Sequence, residues 1–165
     1  MKVVKWVLGI AAGLAVLALA AVFVPRFVTD GPLGPIVGGP IESGELFAFP
    51  VSDWSFATDV NTIEFQLENE SISRTSWILV RDGAAFIPCG ACEAPAKHWQ
   101  QMAQQDGRAI LRIDGKRYPV TLTRDDDPSL REFARGEVLR KYHVEASSAG
   151  GPVLFFRVKS RAMGR

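Results

Sequence analysis

The stretch AILRIDGKRYPVTLT, Ala109 to Thr123, is where the fold declares itself. Two alternating apolar runs flank Asp114-Gly115, and a DG pair between such runs is a strong hairpin signal because both turn positions favour positive φ. In the second arm Tyr118, Val120 and Leu122 share one face, the period of a half-buried strand. Pro119 has no amide hydrogen to give a ladder, so its amide side is expected at an edge or a bulge. The same device recurs upstream, where SRTSWILV (Ser73 to Val80), Asp82-Gly83 and AAFIPC (Ala84 to Cys89) read as a second hairpin.

Working outward, Ile63, Phe65 and Leu67 alternate with Glu64, Gln66 and Glu68, which predicts a strand with one face buried. Before it, DWSFATDV (Asp53 to Val60) predicts one helical turn with Ser52 or Asp53 as cap and Trp54 and Phe56 packing inward. A helix is expected from about Pro95 to Gln105, stopping at Asp106-Gly107. A second opens with Asp127 as cap and Pro128 behind it, and places Leu130, Phe133, Ala134, Val138 and Tyr142 on one face. Glu137 and Lys141 on its polar face have the spacing of a supportive pair. PVLFFRV (Pro152 to Val158) supplies a closing strand. The order is strand, hairpin, helix, hairpin, helix, strand. That is antiparallel pairing with helices inserted, mainly β within the α+β class, and a small closed or half-closed barrel with helices outside fits it.

The N-terminus carries a separate message. From Trp6 to Val24 the chain reads WVLGIAAGLAVLALAAVFV without a charged side chain, and as a helix it spans about 29 Å against a hydrocarbon core of about 30 Å. Residues 6–24 are therefore expected to meet membrane lipid as one single-pass transmembrane helix, with a domain beyond it. Lys2 and Lys5 precede the run and Arg26 and Asp30 follow it, which favours a cytoplasmic N-terminus and an extracytoplasmic domain. The alternative is a cleaved signal peptide, with Ala18-Leu19-Ala20 as the processing site and a secreted product. Gly9 and Gly13 form a GxxxG pair that would suit a homodimer of such helices; small residues filling a span are the simpler account.

Three regions follow: 1–25 as anchor or signal sequence, 26–45 as a Gly/Pro-rich connecting segment, and 46–165 as the barrel domain. The connecting segment DGPLGPIVGGPIESG has no helical or strand period, yet Leu33, Ile36, Val37 and Ile41 give it apolar side chains that a solvated linker does not need. Of the 19 basic residues, removing Lys2, Lys5 and Arg26 leaves 16 against 18 acidic ones, so the domain has no nucleic-acid surface by charge.

From about Ile63 to Val158 the chain resembles the split β-barrel superfamily of flavin- and deazaflavin-dependent nitroreductases and pyridoxamine-phosphate-oxidase-like proteins, most clearly the deazaflavin-dependent nitroreductase branch. The resemblance rests on TSWILVRDGAAFIPCG, AKHWQQMAQQDGRAILRIDGKRYPVTLTRDDDP and GPVLFFRV. The preceding GPLGPIVGGPIESGE with DWSF is similar to a membrane-anchored bacterial subgroup. The resemblance implies a split antiparallel β-barrel with two packing helices, preceded by the one transmembrane helix. It further implies FMN or a deazaflavin held by Arg74, Thr75 and Ser76 on a strand and Lys97, His98 and Trp99 on a helix. Basic and hydroxyl groups suit a phosphate, and an indole suits the edge of a flavin-type ring. Where the nitroreductase branch has a Gly-Arg-Lys-Ser-Gly-like segment this chain has ENESISRT, acidic at Glu68 and Glu70. For Arg74 and Lys97 a solvated barrel surface is the bland account, and for Trp99 a core anchor.

Both cysteines lie in Cys89-Gly90-Ala91-Cys92. In an exported chain this spacing suits a small disulfide that staples a loop. A redox role resembles the CGPC of thioredoxin-like proteins, and sharing of a metal is the third reading; one CxxC is too little for a four-ligand site, so no metal ligands are assigned. His98 and His143 do not cluster, and no triad is recognisable. The sequence thus leaves three functions: an oxidoreductase acting on a small molecule through a flavin or deazaflavin, a non-enzymatic envelope domain for binding or assembly, and a thiol-disulfide protein.

Overall fold

The computed structural model describes residues 2–90, 92, 98–143 and 153–162. After the apolar helix α1 (Lys2–Phe23) and the single turn α2 (Pro25–Val28) come β1 (Glu45–Leu46), β2 (Thr62–Leu67), β3 (Arg74–Trp77), β4 (Leu79–Arg81) and β5 (Ala84–Cys89). Helix α3 (Trp99–Gln105), β6 (Arg108–Ile113), β7 (Lys116–Asp125), α4 (Ser129–Tyr142) and β8 (Leu154–Ser160) complete the order. The strands pair as β3-β2-β6-β7-β8-β5-β4, antiparallel throughout, with β1 added parallel to the start of β7.

The two ends of that sequence of strands, β3 and β4, are separated only by Ile78. One strand therefore bends at a buried residue and serves both ends of the sheet, first against β2 and then against β5. This closes the barrel. The sequence suggested one unbroken strand over Ser73 to Val80; the break is the place where it passes from one half of the barrel to the other.

Both DG turns form as the alternation predicts, with Asp82, Gly83, Asp114 and Gly115 all at positive φ. Pro119 sits where β7 changes partners: residues 116 and 117 face β1, residues 120 to 125 face β8. Its carbonyl accepts the Arg161 amide, which shows that its missing amide hydrogen also lies on that side, at the handover.

Strand alternation divides the apolar residues into two layers. Inward-facing Phe65, Leu111, Val120, Ile87 and Phe156 fill the barrel, and α3 adds Trp99 and Ala103 to this interior core. Outward-facing Leu79, Phe86 and Phe155 meet Leu130, Ala134 and Val138 of α4. Helix α4 begins at Ser129 with Pro128 at the N-cap position, and Asp127, expected as the cap, stands one residue earlier and accepts from the Ser129 amide at 2.9 Å. Two sequence expectations differ. Phe56 is exposed beside the 3-10 turn Ser55–Ala57 while Trp54 alone is buried, and Glu137 pairs with Arg140, not with Lys141. The observed last strand runs to Ser160, two residues past the expected end, and the expected start at Pro152 lies outside the described residues, as does most of the segment proposed to begin the first helix.

The connecting segment is fastened to the barrel wall. The Asp30 carboxylate accepts from the Glu42 amide at 2.7 Å, the Ser43 amide at 3.2 Å, the Ser43 hydroxyl, and Arg112 at 2.9 Å. Gly38 and Ser73 exchange backbone hydrogen bonds of 3.1 Å each, and the Ser73 hydroxyl donates to the Gly39 carbonyl. Gly38 has to be glycine, because a Cβ there would lie 1.7 Å from the Gly31 carbonyl oxygen. Burial alone would raise the Asp30 pKa, but the bonds from Ser43, the Glu42 amide and Arg112 outweigh it and hold the carboxyl well below its ordinary range. A depressed carboxylate pKa stabilises the fold above the unfolded value of about 4 and ceases to do so as pH falls through the folded value. Asp30→Asn should accordingly be less stable than the native chain at neutral pH, with the gap narrowing in acid; urea unfolding across that range checks it, and a gap independent of pH would contradict the clamp.

Candidate functional site

The residues expected to grip a cofactor start on β3. Its register against β2 sets Arg74 opposite Phe65, Thr75 opposite Glu64 and Ser76 opposite Ile63. Since Phe65 and Ile63 face the barrel interior, Arg74 and Ser76 belong to the inner face and Thr75 to the outer one. The strand thus separates the three residues instead of gathering them.

Arg74 is already engaged. Its two terminal nitrogens both donate to the Glu70 carboxylate, one at 2.8 Å, and the two side chains are only 17% and 11% exposed. The guanidinium carbon lies 6.0 Å from the centre of the Phe65 ring. Trp99 meets the same ring edge-on with centres 5.0 Å apart, and meets Phe156 at 4.8 Å. Phe65 therefore links Arg74 to Trp99, and Trp99 is 6% exposed, an anchor of α3 in the core. The Ser76 hydroxyl is half-buried and makes no hydrogen bond among the described residues. His98 is exposed at the start of α3, and Lys97 lies outside the described residues.

Thr75 borders a different feature, an open cleft of about 340 Å³ on the outer wall lined by Thr62, Glu64, Arg112 and Asp114. Arg112 is central there. It pairs with Glu64 on the neighbouring strand and with Asp30 of the connecting segment, and its side chain is 12% exposed. Sequence reading overlooked this cluster, because Arg112 and Asp30 are 82 residues apart and each looks like an ordinary surface charge. A third feature is aromatic: Phe47 and Phe56 each meet Tyr118, at 5.4 and 5.8 Å, and both keep apolar surface in solvent, as does Phe49 two residues after Phe47.

Cys89 ends β5 opposite Leu154 and forms a disulfide with Cys92. The pair is buried, at 3% and 1% exposure, in the interior core. Gln100 of α3 donates to the Cys92 carbonyl at 3.3 Å, so the disulfide ties the end of β5 to the beginning of α3.

No family model matches the chain, and no curated protein does. Among solved structures, the chain is similar to a candidate pyridoxamine 5′-phosphate oxidase from Listeria innocua, with 11% identity and a TM-score of 0.44 over 62% of this chain and 84% of the other. It is also similar to a NimC/NimA family protein from Clostridium acetobutylicum, with 14% identity and a TM-score of 0.43 over 62% and 74%.

Among the described residues, the donors expected for a flavin phosphate do not converge. A phosphate needs unspent donors that converge, whereas Glu70 takes both terminal nitrogens of Arg74 and Thr75 opens onto the opposite face. Trp99, expected at the edge of a flavin-type ring, is instead packed against Phe65 and Phe156. Thiol exchange needs an approachable sulfur, and both are enclosed. Replacing both cysteines by alanine should cost about 2 kcal/mol, the loop-closure value for so short a loop. The folded protein should also resist reduction by a mild thiol until denaturant is added; rapid reduction without denaturant would restore the redox reading.

Proposed function

We propose that this chain is a membrane-anchored split-barrel domain that works in the cell envelope by binding or assembly and not by catalysis. The observation that carries the reading is the engagement of Arg74 by Glu70, which spends on the fold the one described cation expected to hold a phosphate. The enclosed Trp99 and the enclosed Cys89–Cys92 pair support it in the same way. The exposed set Phe47, Phe49 and Phe56 offers a surface for a partner.

Anchoring draws on the helix span Val4–Phe23, which is long and apolar enough to cross a bilayer. The outward side draws on Lys2 and Lys5 at the N-terminal end of that helix and on the disulfide, since such bonds persist in oxidising compartments. The likeness of the Gly/Pro segment to a membrane-anchored bacterial subgroup agrees with it.

A second reading, binding of FMN or a deazaflavin along β3, draws on the meeting of Arg74 and Trp99 at Phe65 and on the Ser76 hydroxyl, which makes no hydrogen bond among the described residues. It requires Arg74 to leave Glu70. Thermal unfolding separates the two readings: neither FMN nor a deazaflavin should raise the melting temperature of the full chain, and a concentration-dependent rise of several degrees would reverse their order. For sidedness, alkaline phosphatase fused after Arg165 should be active in cells and a fluorescent protein fused there dark. The opposite pattern would place the barrel in the cytoplasm.

A further inference from the structure

Between the membrane helix and the barrel there is almost no slack. Only Val24 separates α1 from α2. Pro25 is buried, and the Thr29 amide and hydroxyl both donate to its carbonyl, at 2.9 and 2.8 Å. Asp30 then makes the clamp to Glu42, Ser43 and Arg112. From Val24 to Thr29 a helical path rises about 7.5 Å, and the headgroup layer of one leaflet is about 5 to 8 Å thick. A chain fixed to the barrel by residue 29 therefore holds the barrel against the lipid surface.

The part of the protein brought to that surface has the chemistry of an interface. Phe27, Val28 and Leu33 are 77%, 72% and 52% exposed. Among them Arg26 has neither an ion pair nor a hydrogen bond within the described residues, while Arg74, Arg112, Arg140, Arg157 and Arg161 all hold carboxylates. Its Nε is buried without a partner, and its guanidinium lies 4.8 Å from the Phe23 ring and 5.0 Å from the Phe27 ring. An unspent guanidinium framed by two aromatic rings suits a phosphate at the boundary between hydrocarbon and water.

We propose that Arg26, Phe27, Val28 and Leu33 form a lipid-docking face, in which Arg26 donates to headgroup phosphates and the three apolar side chains enter the boundary between headgroups and acyl chains. The inference rests on the membrane anchoring proposed above and adds a fixed orientation. The Asp114-Gly115 turn, whose glycine carbonyl accepts the Glu45 amide close to the clamp, lies toward the membrane. Strand β7 leads away from the turn, so Asp126 lies about 30 Å along the strand from it and serves as the remote position.

The test uses the full chain in vesicles of phosphatidylcholine and phosphatidylglycerol, with lipids carrying a quencher near the headgroup. Because the native cysteines are enclosed in their disulfide, single cysteines at Phe27→Cys, Leu33→Cys and Asp126→Cys can be labelled with an environment-sensitive fluorophore. The first two labels should be quenched several-fold more than the third, and equal quenching at all three would overturn the docking face. Adding Arg26→Gln to Leu33→Cys should reduce quenching by about half; no change would overturn the phosphate contact. Alkaline carbonate washing keeps the two ideas apart. Protein stripped from the vesicles would refute anchoring itself, whereas protein retained with unquenched labels would refute docking alone.

Discussion

At Ile78 one strand leaves the β2 side of the barrel and joins the β5 side, and the backbone must make that turn inside a buried layer. A buried carbonyl without a donor is costly. The Ile78 carbonyl is satisfied by the Lys141 ammonium at 2.8 Å, which also donates to the Val60 carbonyl at 2.8 Å. Burial pushes the Lys141 pKa below the usual lysine range, and the two carbonyls are what the ammonium receives in exchange for lost water. Tyr142 stacks on Trp77 with ring centres 4.2 Å apart, and Arg140 reaches Asp59 and the Thr58 carbonyl. The end of α4 is thus a clasp over the seam, and it joins the two halves into one barrel.

Closure has a chemical consequence. Once the seam is shut, the interior is packed by large side chains, and any ligand has to lie in a surface groove or displace existing partners. Glu70 shows the second situation at Arg74. The Glu70 carboxylate, four positions before Arg74, takes both terminal nitrogens of the guanidinium and leaves this end of β3 self-satisfied. The disulfide works to the same end at the other side of the interior, fixing β5 to α3 beside Trp99.

Much of this was legible in the sequence because it is local. Asp82-Gly83 and Asp114-Gly115 state their turns, Ile63 to Leu67 states its buried face, and Asp127 states the start of α4. What the sequence concealed is long-range. DGPLGPIVGGPIESG has no period, so its attachment through Asp30 to Arg112 and through Gly38 to Ser73 leaves no local mark. Lys141 has correct helical spacing for Glu137, and only the fold supplies the better offer of two buried carbonyls. The candidate site was read as a set of residue types, and the alternation that sends Thr75 to the other face became decisive only with the register of β3 against β2.

Closure of the barrel rests on the seam at Ile78. Native-state hydrogen exchange in Lys141→Met, compared with the unaltered chain, addresses it most directly, since the substitution keeps an unbranched, flexible stem and removes the ammonium that holds the two carbonyls. If the clasp closes the barrel, the amides of β3 with β2 and those of β4 with β5 should lose protection together and to a similar degree, while the β6–β7 hairpin changes least. Loss confined to the residues in contact with α4, with β2 and β3 as protected as before, would show that the two halves hold without Lys141 and would contradict the account.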